Sequence, residues 1–125
     1  THMTIAENIA FGLKIKGKSQ NYINDKIRYA LKLVNLEGFE NRTPASLSGG
    51  QQQRISIARA IITRPGIVFA DEPTGNLDTK ASNEIMHLLK TSNRELNQTI
   101  IMITHNMELA KAADRTIMIE DGKIR

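Results

Sequence analysis

Apolar residues in the first half of the chain recur with a helical period. The pattern predicts three helices, over residues 4–16, 19–36 and 48–64. Thr4 and Ser48 are each followed three residues later by Glu or Gln, which is the spacing of a capping box. The apolar positions are Ile5, Ile9 and Leu13 in the first helix, Ile23, Ile27, Ala30, Leu31 and Val34 in the second, and Ile55, Ala58 and Ile61 in the third.

From Ile67 onward the pattern changes to short apolar runs that are separated by helical segments. Such runs are of strand length, and without a polar alternation they predict buried strands. Strands that alternate with helices favour parallel pairing through right-handed crossovers. The predicted strands cover residues 67–70, 100–103 and 116–119, and the predicted helices between them cover residues 80–96 and 107–113.

The two halves of the chain therefore differ in their expected structure. Residues 1–64 are predicted to form a helical subdomain, and residues 65–125 are predicted to form part of an α/β core. Asp121-Gly122 predicts a tight hairpin turn, but the chain is expected to stop before a return strand develops. The expected fold class is α/β, with an incomplete, mostly parallel sheet, flanking helices and an α-helical subdomain.

Composition narrows the classes of protein that remain. A chain of 125 residues is about one small domain, and the absence of cysteine excludes a disulfide framework and a thiolate metal site. Its apolar runs are too short to span a bilayer, and a secretory signal pattern is not seen, so we expect a soluble protein. The net charge of +4 is concentrated in the first third, which can indicate a nucleic-acid or membrane surface. With 4% aromatic residues, solvated helix faces explain the lysines more simply.

Leu47-Ser48-Gly49-Gly50-Gln51 opens the third predicted helix with a hydroxyl and two glycines. The first N–H groups of a helix have no intrahelical partners, and glycine lets an anion approach them closely. These residues therefore predict a phosphate contact. The alternative is a well-capped helix that binds nothing.

Polar residues follow two of the predicted strands directly. Asp71 and Glu72 come after the first strand, and Thr104 and His105 come after the second. Ligands of open α/β sheets bind beyond the carboxyl ends of the strands, where carboxylates can hold Mg²⁺ and activate water and a histidine can contact phosphate. Each residue alone is also compatible with an ordinary polar loop. His2 and His87 lack this setting and are predicted to be terminal and surface residues.

Together these motifs resemble the ATP-binding cassette (ABC) ATPases, in order and in approximate spacing. The resemblance rests on Leu47–Gln51, Asp71-Glu72, Gly75-Asn76-Leu77-Asp78 and Thr104-His105, and it extends over nearly the whole chain. The chain is similar to the C-terminal half of such a domain. A P-loop nucleotide-hydrolase fold is therefore implied.

The family resemblance implies a role for each matching residue. ABC ATPases hydrolyse ATP in a head-to-tail dimer with two shared sites, so the cofactors implied are ATP and Mg²⁺ and the partner implied is a second ABC ATPase domain. Asp71 would bind Mg²⁺ through water, Glu72 would be the catalytic base, and His105 would contact the γ-phosphate. The nucleotide-binding set would be Ser48, Gly49, Gly50 and Gln51, which face the ATP of the opposite subunit, and Asp78, in the loop that couples the two sites.

The phosphate-binding loop of the family is expected to be absent. Gly12 to Ser19 fits the pattern G-x-x-x-x-G-K-[ST], but residues 6–11 before it are predicted to be an amphipathic helix and not the buried strand that such a loop needs, and its central residues are bulky. We therefore expect the chain alone neither to hold ATP tightly nor to hydrolyse it.

The family resemblance also implies that a strand is missing between residues 100–103 and 116–119. Its absence would leave apolar strand edges, so those two strands are expected either to pair directly or to cause self-association.

The resemblance further implies the ATPase subunit of a transporter, cytoplasmic and held at the inner face of the cell membrane by a transmembrane permease. Ala70 to Asp78 resembles exporters of lipoproteins, macrolides and peptides, whereas Asn8 to Lys14 resembles importers of sugars and polyamines. The sequence slightly favours the exporter-like group. The alternatives are a soluble ABC protein that acts on nucleic acid or ribosomes, and a fragment that serves only as an interaction module; binding to nucleic acid is not expected.

Overall fold

The computed structural model describes residues 3–125, so His2 lies outside the described residues. Within this range the predicted helices are present, and every end lies within three residues of the predicted one. His87 is exposed, as predicted. The helices are α1 (Ile5–Ile15), α2 (Gln20–Leu33), α3 (Gly49–Ile62), α4 (Thr79–Glu95) and the short α5 (Met107–Ala110), and a single 3-10 turn covers Pro44–Ser46.

Short polar side chains cap the four long helices at their N-termini. The Thr4 and Ser48 hydroxyls accept from the third backbone N–H of α1 and α3, and both predicted capping boxes are formed. Ser19 caps α2 in the same way, so Gly12 to Ser19 runs from inside α1 to the start of α2. This segment has no preceding strand and does not form a phosphate-binding loop, which confirms the sequence-based expectation.

One hydrophobic core joins the first four helices to the sheet. The helix α3 lies at its centre, since it contacts α1, α2 and α4. In α1, α2 and α3 most core side chains come from the periodic positions that the sequence analysis identified, because those positions lie on one face of each helix, whereas Ile85 of α4 was not among them. Ile5, Ile9, Leu13, Ile23, Leu31, Val34 and Ile85 are the largest apolar side chains that are completely or almost completely buried.

Two parallel strands, β1 (Ile67–Asp71) and β2 (Thr99–Ile103), form the predicted sheet, and α4 connects them. One face of the pair carries Val68, which is buried in the core. The opposite face is apolar but exposed, so the prediction that both strands are buried is wrong for this face. Parallel sheets are normally covered on both faces, and only one covering layer is present in the described residues. The exposed side chains are Ile67, Phe69, Ile101 and Ile103.

The C-terminal residues differ most from the prediction. Instead of a buried strand over 116–119, a short antiparallel hairpin of β3 (Ile119–Glu120) and β4 (Lys123–Ile124) forms, so the return strand that was not expected is present. Asp121 and Gly122 have φ values of 52° and 77°, which close the predicted tight turn. The hairpin supplies local backbone partners, whereas a buried strand needs a neighbouring strand that the described residues do not provide.

The gap between β2 and the hairpin stays open. β2 pairs only with β1 and β3 pairs only with β4 in the described residues, so the expected direct pairing across the gap is wrong. Self-association through the free strand edges stays a prediction. The helix predicted over 107–113 is also shorter, since α5 ends at Ala110.

The capping box of α1 predicts a pH-dependent stability. Hydrogen bonds from the backbone and then the side chain of Thr4 lower the pKa of Glu7 below its ordinary value of 4.5. Because the folded-state pKa is depressed, the box stabilises the chain above the unfolded-state pKa, and this contribution is lost as pH falls through the folded-state pKa. In urea titrations across this range Glu7→Gln is expected to lose less stability on acidification than the unchanged chain. An identical loss in both proteins would contradict the prediction.

Candidate functional site

Glu72 leaves β1 in a left-handed conformation that turns its side chain toward the end of β2. Its φ is 46°, and its backbone N–H donates to the Ile103 carbonyl at 2.8 Å, one residue beyond the ladder of β1 and β2. A non-glycine residue in this region is uncommon and is often found at functional sites. The backbone thus places the Glu72 carboxylate next to the loop that follows β2.

Three contacts from this loop hold the Glu72 carboxylate. The Thr104 hydroxyl donates to Oε2 at 3.2 Å, and the His105 backbone N–H donates to Oε1 at 2.9 Å. The His105 Nδ1 atom lies 2.6 Å from the same Oε1, a distance that requires its proton on Nδ1. The His105 side chain is otherwise 92% exposed, so its Nε2 atom faces solvent. Two residues predicted separately from sequence, Glu72 and His105, form one hydrogen-bonded pair.

The start of α3 is closed on itself by its capping box. The Ser48 hydroxyl accepts from the Gln51 N–H at 3.2 Å, and the Gln51 side-chain oxygen accepts from the Ser48 N–H at 3.0 Å. Gly50 lies against α4, where an added Cβ would come 3.2 Å from the Cβ of Ala81. The second glycine of the motif thus allows α3 and α4 to approach closely.

The loop between β1 and α4 returns the chain to the start of α3. Asn76 has a φ of 67°, and Leu77 packs on Gly49, since an added Cβ there would lie 3.7 Å from the Leu77 side chain. Asp78 then caps α4, because its carboxylate accepts from the Ala81 N–H at 2.8 Å. The predicted coupling residue is therefore a helix cap in this chain.

A cleft of about 220 Å³ lies where these segments meet. It brings together Gly49, Asp71 and Glu72 of the predicted site, with His105 attached through Glu72. Ser48, Gly50, Gln51 and Asp78 do not line the cleft. Sequence reasoning missed Gln53, whose position one turn after Gly49 is the signal that could have found it. The lining residues are Gly49, Gln53, Asp71, Glu72, Pro73, Gly75, Asn76 and Leu77.

Arg54, which the sequence analysis did not assign, connects α3 to its neighbours. Its guanidinium lies 3.3 Å from the Glu84 carboxylate of α4 and donates to the Val34 carbonyl at the end of α2 at 3.4 Å. The side chain is 18% exposed and its Nε atom has no partner. Charged groups with so little exposure are normally paired, as Arg54 is with Glu84. Through these two contacts Arg54 holds α3 against α4 and the end of α2.

The donor set of the cleft fits Mg²⁺ only in combination with other ligands. The described residues contain no group of three or more His, Cys, Asp or Glu side chains able to hold a metal ion. Asp71 is exposed at the end of β1 and lines the cleft. Because Mg²⁺ commonly takes one or two protein carboxylates and completes its shell with water and substrate phosphates, Asp71 fits a metal that arrives with a nucleotide.

A family model described as "ABC transporter" matches residues 1–75. The chain is 48% identical over 123 residues to the spermidine/putrescine import ATP-binding protein PotA of Acetivibrio thermocellus, and 47% identical over 125 residues to PotA of Clostridioides difficile. These matches cover 98% and 99% of the chain but 35% and 36% of the relatives. The chain thus spans about a third of the length of these curated relatives.

Two solved structures share the fold. Both are of MJ0796, one titled the dimeric structure of a post-hydrolysis state of the ATP-binding cassette bound to ADP and Pi, and one titled the dimeric structure of a bacterial ABC transporter cassette. Their TM-scores are 0.83 and 0.84 at 38% and 39% identity, and the match covers 98% of this chain and 55% of each of theirs. The predicted fold class, an incomplete nucleotide-hydrolase cassette with flanking helices, is confirmed.

The relatives also bear on the predicted subgroup. They are named as import proteins, so the preference for the exporter-like group is not supported. The resemblance of Asn8 to Lys14 to importers was the better indicator. No helix in the described part of the chain is long and apolar enough to cross a membrane.

Proposed function

The chain belongs to the ABC transporter family, and we propose that it is the C-terminal half of the ATPase domain in the ATP-binding subunit of an importer for polyamines such as spermidine or putrescine. The identity of 48% to a spermidine/putrescine import protein over 98% of the chain supports this substrate class. The observation that carries the chemistry is the placement of the Glu72–His105 pair beside a cleft that Gly49 also lines.

In this proposal the strand ends supply the hydrolytic groups. Glu72 accepts the proton of the attacking water, and His105 orients Glu72 through Nδ1. With both ring nitrogens protonated, His105 also donates from Nε2 to the γ-phosphate. Asp71 holds Mg²⁺ that arrives with ATP. The ion, when bound, neutralises charge that develops on the phosphates.

The start of α3 contributes to the site of a second cassette. Ser48, Gly49, Gly50 and Gln51 face the γ-phosphate of ATP on the opposite subunit. The Ser48 hydroxyl and the backbone N–H groups of Gly49 and Gly50 donate to it, since the capping box uses the N–H groups of Ser48 and Gln51. Asp78 lies in the loop that couples the two sites. Residues 1–64 act as the helical subdomain and residues 65–125 as part of the α/β core. A transmembrane permease holds the assembly at the cytoplasmic face of the membrane.

The proposed site is incomplete in this chain. Gly12 to Ser19 contains the last turn of α1 and the short connection to the cap of α2, so it does not cradle phosphates, and another phosphate-binding loop is not found in the described residues. The chain alone is therefore expected to hydrolyse no ATP. An intact second cassette can supply the phosphate-binding loop that faces α3.

ATP-dependent association with an intact PotA cassette tests the proposal. The labelled chain is titrated with the cassette, and anisotropy is measured with ATP, with ADP and without nucleotide. Association is expected only with ATP, and Ser48→Arg is expected to weaken it about tenfold to hundredfold because it removes hydrogen bonds to a charged phosphate. Ser56→Arg, at an exposed position of the same helix, serves as the matched control. Equal weakening by both variants, or association without ATP, would contradict the proposal.

A further inference from the structure

The exposed face of α2 carries alternating lysine and tyrosine side chains. Four of them lie in α2 at spacings of four, three and three residues, which place them on one side of the helix, and Lys18 lies just before the Ser19 cap. Both tyrosines of the chain belong to this row, and Tyr22 is 39% and Tyr29 is 42% exposed. We name this surface the lysine–tyrosine face; it consists of Lys18, Tyr22, Lys26, Tyr29 and Lys32.

Contacts within the face fix the lysine charges over the tyrosine rings. The Lys18 and Lys26 ammonium groups lie 5.3 Å and 5.5 Å from the centroid of Tyr22, one turn before it and one turn after it. Lys26 also lies 5.9 Å from the centroid of Tyr29. A ring quadrupole attracts an ammonium group but does not neutralise it, so the face keeps its full positive charge.

The charge distribution of the whole chain points to the same region. The first 36 residues contain six lysine or arginine and two acidic side chains, whereas the remaining residues contain eleven of each. The net charge of +4 therefore originates entirely in α1, α2 and the residues around them. Asp25, the one acidic residue of α2, forms an ion pair with Arg28, so it does not offset the lysines of the face.

We propose that the lysine–tyrosine face binds the anionic headgroup surface of a phospholipid bilayer. Lysines near a negatively charged leaflet are attracted to it, and tyrosine is enriched where an apolar body meets a polar interface. The face is a convex, solvent-exposed helix surface, the shape that a flat bilayer can contact. This inference goes beyond the importer proposal and does not depend on which substrate is carried.

The contacts disfavour nucleic acid as the partner. Binding to single strands uses free aromatic faces on which bases stack. Lys18, just before the helix, and Lys26, one turn after Tyr22, both place an ammonium group over the Tyr22 ring, so a base would have to displace Lys18 or Lys26 to stack there. A headgroup phosphate needs no such displacement, because it binds the ammonium groups from outside.

Vesicle flotation tests the proposal with the chain as it is. The chain is expected to float with phosphatidylglycerol–phosphatidylcholine vesicles and not with pure phosphatidylcholine vesicles. Lys18→Gln/Lys26→Gln is expected to weaken binding roughly 25-fold, since each lysine near an anionic surface contributes about fivefold to binding. Lys80→Gln/Lys90→Gln, with the same change of charge on exposed residues of α4, is the matched control and is expected to leave binding within about twofold of the original.

A tryptophan probe locates the contact independently of charge. The chain has no tryptophan, so Tyr22→Trp gives a single emitter on the face, and its emission is expected to shift to the blue on anionic vesicles while that of Lys90→Trp does not. Absence of flotation, equal losses in the two double variants, or equal shifts of both probes would overturn the proposal. Binding to single-stranded RNA in place of vesicles would overturn it in favour of nucleic acid.

Discussion

Glu72→Gln is expected to reduce ATP hydrolysis by about a hundredfold to ten-thousandfold in a completed cassette, because the amide cannot accept the proton of the attacking water. The carboxylate is already oriented for this role. Thr104 and two atoms of His105 occupy three of the roughly four lone-pair positions on its oxygens, and the remaining position can accept a proton from water. The amide keeps the size of the side chain, so the fold is expected to be unchanged.

The measurement uses a cassette made by joining this chain to the amino-terminal part of a PotA relative. Steady-state phosphate release is compared for the unchanged hybrid, Glu72→Gln and Glu108→Gln. Glu108 is a suitable control because it is exposed and pairs with Lys111, the residue that follows α5. The base assignment would be wrong if Glu72→Gln kept near-normal turnover, or if Glu108→Gln lost as much activity.

Ile9→Ala is expected to destabilise the chain by about 2–5 kcal/mol, which is the usual cost of deleting a buried branched side chain and leaving a cavity. Ile9 is 1% exposed and lies on α1, which packs against both α2 and α3. Domains of this size are stable by only about 5–15 kcal/mol in total, so the loss is a large fraction of the whole. Urea unfolding followed by circular dichroism is expected to show a lower midpoint with an unchanged slope.

Ile15→Ala provides the matched control on the same helix. Ile15 is 71% exposed, so the same substitution creates no cavity, and we expect a change within about 0.5 kcal/mol. Similar destabilisation by the two variants would show that α1 does not pack against the core as described.

The helices could be predicted because the residues that start them and define their buried faces are close together in the sequence. Thr4, Ser19 and Ser48 each start a helix with a hydroxyl cap, and the apolar side chains that follow define one buried face. The same local reasoning rejected the phosphate-loop pattern of Gly12 to Ser19. The final strand could not be predicted in this way, since an apolar run becomes a buried strand only when a neighbouring strand is present.

The sequence predicted the residues of the site one by one, but not the contacts between them. Asp71-Glu72 and Thr104-His105 each followed an apolar run, and the family resemblance linked them. The parallel pairing of β1 and β2 brings them into contact. It places Glu72 beside Thr104 and His105, although these residues are 32 and 33 positions later in the chain. The direction of the Glu72 side chain also depends on its left-handed backbone conformation, which no residue pattern predicted.

At the start of α3, too, some features were determined by the sequence and others only by the tertiary structure. Sequence determined the capped, glycine-containing helix end at Ser48 to Gln51, because capping involves residues only three positions apart. Only the tertiary structure decided that Leu77 packs on Gly49, that Gly50 lies against Ala81 of α4, and that Arg54 pairs with Glu84. Hydrogen bonding and period along the chain are local properties, whereas the meeting of distant segments depends on how the whole core packs.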